Sequence, residues 1–192
     1  MVSFILNAAI FAVTAALTVR IFRKDGKWDV RGARKAFRFF TVQSNVFCAC
    51  SALCMALFPA ADWAWIFKYI GTSAVTVTLL TVFLFLGPSM GGLGPLLRGN
   101  DIFMHLLTPL AAIVSFCFFE KRGMPFSTAL LGMLPVVLYG CWYLYKTVYA
   151  PAEKRWEDFY GYNKGGKWPV AFAGMMLGGF AVCMLLMGLQ NL

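Results

Sequence analysis

The chain of 192 residues contains a single histidine, His105. It is the one side chain whose ordinary ionisation lies near neutral pH, and it sits one turn inside an apolar segment that opens at Asp101. Asp101 and His105 stand at i and i+4, so they share a helix face. An aspartate so placed can accept an imidazole N–H and fix its tautomer, as an orienting group does for a general base. Its plainer and expected primary use is to cap the helix that follows Gly99-Asn100. A second polar group interrupts another apolar segment, Phe39-Phe40-Thr41-Val42-Gln43-Ser44-Asn45. Thr41, Ser44, Asn45 and Cys48 recur at i, i+3, i+4 and i+7 and form one face. That face is either hydrogen-bonding glue between helices, the commoner use, or the wall of a polar pocket. A hydroxyl nucleophile needs a base to take its proton and donors to hold the oxyanion. Thr41 and His105 supply the first two parts. Asn45, one turn deeper than Thr41, is placed to donate to the oxyanion, with Ser44 beside it.

These residues must be positioned by six apolar runs, at 2–19, 37–59, 64–87, 102–119, 125–145 and 168–189. Each is close to the ~20 residues that a helix needs to cross a bilayer. The alternating pattern of barrel strands is absent. The expectation is therefore an all-α integral membrane bundle of six transmembrane helices, a single domain over residues 1–192. The second and fourth runs cross in the same direction. Thr41 and His105 both lie near their starts, His105 about 6 Å inside the fourth helix. If those two helices are neighbours, the hydroxyl and the imidazole can meet.

Lys and Arg number 17 against 8 Asp and Glu, a net charge of +9. The distribution argues for membrane topology and against nucleic acid. Eight cations, Arg20 to Arg38, follow the first run; Arg98 lies between the third and fourth; five, Lys146 to Lys167, precede the sixth. Only Lys68, Lys121 and Arg122 fall to the other side, fourteen against three. The positive-inside rule then puts both termini outside a cell membrane and the Thr41–His105 end in the cytoplasmic leaflet. The first run has its basic cluster after it, the reverse of a cleaved signal peptide, and reads as a retained helix.

The connector from Gly87 to Asn100 carries five glycines and two prolines and is flexible enough to cover a site. The longest connector holds Trp156, Phe159, Tyr160 and Tyr162, an aromatic belt at its plainest. Together they are expected to form a lid. Gly174 and Gly178, four apart, would let a neighbouring helix approach closely. The six cysteines all lie inside apolar runs with no Cys-x-x-Cys pair, so neither zinc nor a disulfide framework is suggested, and one histidine cannot ligate haem from both sides. No metal and no organic cofactor is expected.

The Phe40-Thr41 to Asn45 stretch, the His105 to Pro109 stretch and the Trp168-Pro169 opening of the last run resemble the androgen-induced and androgen-dependent TFPI-regulating protein family of multispan threonine hydrolases. The likeness is that of a distant relative and covers the six-span plan. It implies Thr41 as nucleophile, His105 as its partner, and fatty acid esters of hydroxy fatty acids or similar acyl lipids as substrate. The reading is an intramembrane lipid-ester hydrolase or acyltransferase. The rivals are a non-enzymatic lipid or small-molecule binding protein or transporter, and a structural subunit. The eight carboxylates all fall at run ends or in connectors, which weighs against ion-coupled transport.

Overall fold

The computed structural model describes every residue except Met124 and the side chain of Phe126. Met124, inside the connector expected between the fourth and fifth spans, lies outside the described residues. The chain is an all-α membrane bundle. Its long apolar helices are α1 (Val2–Ile21), α3 (Phe40–Leu57), α4 (Asp62–Ser89), α6 (Ser127–Tyr149) and α7 (Trp168–Asn191). A sixth, α5 (Phe103–Phe119), is shorter, about 26 Å at 1.5 Å per residue. Each expected run finds its helix, with ends displaced by a few residues.

The centre of the bundle is α3 and α4, each half buried along its apolar window, against 22% for α1. Along α1 the buried residues are Asn7, Ile10, Thr14 and Leu17, a narrow stripe of the spacing that packs one helix on another. That stripe meets α3 and α5; α4 packs on α3, α5 and α7; α6 packs on α7. A core of Trp65, Tyr69, Phe116, Leu186 and Met187 fills the space between α4, α5 and α7. Tyr69 satisfies its hydroxyl on the Ala129 carbonyl at 2.9 Å, as a buried phenol must in hydrocarbon.

The basic connector after α1 carries structure of its own. Asp25 and Gly26 both have positive φ, 52° and 77°, the turn that joins two-residue hairpin strands. It pairs β1 (Arg23–Lys24) with β2 (Lys27–Trp28). A short helix, α2 (Val30–Ala36), follows, capped by Asp29, which accepts the Gly32 amide at 2.8 Å.

Two prolines shape the helices around the site. Pro109 has no N–H for the carbonyl four residues before it, which is that of His105. The helix widens there into a π turn over Phe103–Leu107, closed by Thr108 N–H on the Phe103 carbonyl. Pro88 has the same effect in α4, where Gly87 N–H closes a π turn over Val82–Leu86.

Three expectations are corrected. Gly174 and Gly178 have no atom within 4 Å of where a side chain would be, so they face outward rather than against a helix. Close approach is made by Gly140 against Met175 and by Gly71 against Ser51 and Cys48. Lys68 does not belong to the charges outside the membrane: it is 0% exposed, inside α4. Glu120, at the end of α5, turns inward and is only 4% exposed.

A Cβ at Gly71 would fall on Ser51 Oγ and within 3.0 Å of Cys48 Cα, which is backbone and cannot swing away. We therefore expect Gly71→Ala to lower stability by about 1–3 kcal/mol, the usual range for overpacking, and Gly178→Ala to change it little. Unfolding in mixed micelles checks this; equal effects of the two variants would refute the close α3–α4 contact.

Candidate functional site

Thr41 lies in the first turn of α3 and His105 in the π turn of α5. Both line one cavity of about 600 Å³ at the basic end of the bundle. Its apolar wall comes from α1, α3, α4 and α5, including Leu17, Ile21, Val42, Leu86 and Met104. Its polar rim comes from Arg20, Asn100 and Asp101, with Arg20 donating to Asn100 Oδ1 at 3.2 Å. The volume is that of an ordinary small-molecule site.

His105 Nδ1 lies 2.6 Å from the Leu96 carbonyl. A carbonyl can only accept, so Nδ1 carries the proton and Nε2 of the neutral ring keeps its lone pair. Leu96 belongs to a 3₁₀ turn over Gly94–Leu97, inside the glycine-rich connector. The loop that covers the cavity therefore also sets the tautomer of its histidine. The role considered for Asp101 passes to this carbonyl: Asp101 is exposed, and among the described residues its carboxylate bonds neither His105 nor the amides at the helix start.

The polar face of α3 divides in two. Thr41 borders the cavity. Ser44 and Asn45 are fully inside and act as glue. Ser44 Oγ pairs with Thr78 Oγ1 of α4 at 2.8 Å. Asn45 Nδ2 donates to its own helix at Thr41 O, 2.8 Å, and across to Met104 O of α5, 2.9 Å. Both amide protons are thereby used, so Asn45 is not the oxyanion donor that its position on the face suggested. It holds the backbones on either side of the cavity together, at Thr41 itself and one residue before His105.

The aromatic connector before α7 folds back over the basic end. Tyr139, Tyr143 and Tyr162 form a buried cluster with Phe40, Phe159 and Tyr160 around it. Phe159 and Tyr160 reach the cavity, as do Met90 and Leu96 of the other connector, so both halves of the expected lid are in place. The Tyr160 hydroxyl accepts the Phe40 amide at 3.2 Å, one of the otherwise unpaired donors of the first turn of α3. It also bonds the Thr41 side chain. Burial pushes the Tyr160 phenol up from its ordinary value, against the lowering effect of the bonds to Phe40, Tyr139 and Thr41. It therefore stays a neutral O–H beside the Thr41 hydroxyl. Sequence reasoning placed Tyr160 in the lid but not beside the nucleophile. Nothing in the sequence singles out Leu96, because a carbonyl carries no residue signature.

No group of three His, Cys, Asp or Glu side chains suited to a metal ion occurs among the described residues. No protein-family model, curated protein or solved structure matches the chain.

Because Asn45 is glue, Asn45→Ala should act on the fold before the chemistry. It strips one partner from a buried carbonyl at Met104, and we expect a loss of about 1–2 kcal/mol, the upper range for polar contacts between membrane helices. Reversible unfolding in mixed micelles measures it. Wild-type stability in the variant would contradict the assignment.

Proposed function

We propose that the protein is an intramembrane hydrolase of lipid esters, with Thr41 as nucleophile and His105 as general base. The observation that carries this reading is the shared cavity: one hydroxyl and one imidazole, from two helices, border the same apolar chamber, with the imidazole already in the tautomer that a base requires. The resemblance of the Phe40-Thr41, His105 to Pro109 and Trp168-Pro169 stretches to multispan threonine hydrolases points the same way.

The steps follow from the groups present. His105 Nε2 takes the Thr41 proton as Oγ1 attacks the acyl carbonyl. The tetrahedral oxyanion forms at the N-terminal end of α3, where the helix carries partial positive charge. Tyr160, whose O–H is neutral, is the side chain placed to donate to that oxyanion in place of Asn45. The imidazolium returns its proton to the departing alcohol, leaving an acyl-Thr41 ester. Water, activated by the same Nε2, then releases the fatty acid and restores the hydroxyl; an alcohol in its place would give acyl transfer. The apolar wall takes the acyl chain and the rim of Arg20, Asn100 and Asp101 takes the polar end. The positive-inside rule places this opening at the cytoplasmic leaflet.

Thr41→Ala removes the attacking oxygen and should abolish turnover of fatty-acyl esters by purified protein in micelles. Thr41→Ser should keep part of it. His105→Ala should lose about 10²–10⁴-fold, the usual worth of a positioned acid–base group. Tyr160→Phe should lower kcat more than it raises KM, as loss of a donor made only in the transition state does. Equal turnover by wild type and Thr41→Ala, both folded, would remove threonine hydrolysis and leave lipid binding or transport.

A further inference from the structure

The end of the bundle opposite the cavity holds a second polar assembly, and it lies wholly inside the protein. Glu120 Oε1 receives three donors: Ser3 Oγ at 2.9 Å, Asn7 Nδ2 at 2.5 Å and Ser115 Oγ at 2.5 Å. Donors from α1 and α5 thus converge on it as on an anion. Its other oxygen, Oε2, is buried with no hydrogen-bond partner. Lys68 is 0% exposed, and its Nζ likewise has none. Both charges act on the Cys48 thiol, so they face one shared interior where α3, α4 and α5 meet. The Trp65 indole, three residues before Lys68 on the same helix, donates to the Glu120 carbonyl at 2.7 Å. Asn7, Lys68 and Ser115 all lie about 6–9 Å from the same end of their helices. Among the described residues the one direct ion pair is the surface contact of Arg122 with Asp62, so Lys68 and Glu120 do not touch.

An ammonium and a carboxylate left bare in this interior would each forfeit hydration worth several kcal/mol. The orphaned atoms are complementary: Lys68 Nζ donates, Glu120 Oε2 and Asn7 Oδ1 accept, and the Thr14 and Thr72 hydroxyls, also unpartnered, can do either. A buried water normally makes about three such bonds. We propose that Lys68 and Glu120 form an intramembrane proton-binding site bridged by ordered water, separate from the Thr41–His105 cavity. Its ligand is the proton. Glu120 stays the fixed anion, and the Lys68 amine takes a proton from hydronium, which leaves as water; the occupied site is neutral and the empty one carries the Glu120 charge. The other charged or titratable groups near it are Cys48 of α3, the chain's amino terminus at the start of α1, Asp62 of α4, and Cys117, Lys121 and Arg122 around the end of α5. α7 contributes Gln190, which donates to the Phe116 and Glu120 carbonyls and carries no charge.

The test is nitrogen-15 solid-state NMR of lysine-labelled protein in bilayers at pH 7, with the Lys68 Nζ signal identified by its loss in Lys68→Met. The wild type should show Lys68 as an ammonium in contact with ordered water. Glu120→Gln should convert it to a neutral amine, and Glu120→Asp should keep the ammonium. A neutral Lys68 in the wild type, or an ammonium unchanged in Glu120→Gln, overturns the proposal. If Glu120→Gln does not fold, the water contact of Nζ in the wild type decides: its absence overturns the proposal too. None of these outcomes depends on whether Thr41 is a nucleophile.

Discussion

The amide of Asn45 is the interaction on which the candidate site depends. In hydrocarbon a polar side chain must find its partners within the protein, and Asn45 finds them at two backbone carbonyls, those of Thr41 and Met104. The first belongs to the proposed nucleophile. The second belongs to the residue before the proposed base. One side chain therefore fixes the separation of two helices at the level where the hydroxyl and the imidazole border a common space. Ser44 does the same work toward α4 through Thr78. The site is built by tying backbones together and leaving a gap between them, and Thr41 is the member of the polar face that borders the gap.

The other device is proline. Pro109 leaves the His105 carbonyl without its usual donor, and the wider turn that results is where the imidazole sits. π turns of this kind are frequent at functional sites. The ring is then aimed by the Leu96 carbonyl from a loop whose glycines allow it to fold down. A loop that both covers the cavity and sets the histidine tautomer links access to reactivity: lifting it would expose the chamber and release the base from its orientation.

Much of the frame was legible because membrane helices are written in length and hydropathy. Runs of some twenty apolar residues have few alternatives in a bilayer, and the depth of Thr41 and His105 within their runs foretold that they would lie at one level. What was not legible depended on rotation and on loops. The spacing of Thr41, Ser44 and Asn45 puts them on one face but does not say which of two neighbours each meets, so the oxyanion role fell to Asn45 when its amide was already spent. Leu96 and the inward turn of Tyr160 belong to connector conformations that no periodicity encodes. Lys68 looked like an ordinary charge near a span's end, yet it is buried because Glu120 at the end of α5 folds inward toward the same interior. Gly174 and Gly178 have the spacing of a packing motif, but α7 turns them away from the bundle. Asp25-Gly26 did carry a hairpin signal within the basic connector.

The central claim is that Thr41, held across a cavity from His105, is a nucleophile within the membrane. The most direct measurement is covalent: the protein in bilayers is treated with a long-chain fluorophosphonate, digested, and the modified residue located by mass spectrometry. The account predicts a single phosphonyl adduct on the Thr41 oxygen, formed fast in the wild type and slowly in His105→Ala, and blocked by prior addition of a long-chain acyl ester. Labelling that is absent, or that falls on Ser44, Tyr160 or another residue while Thr41 stays unmodified, would contradict it.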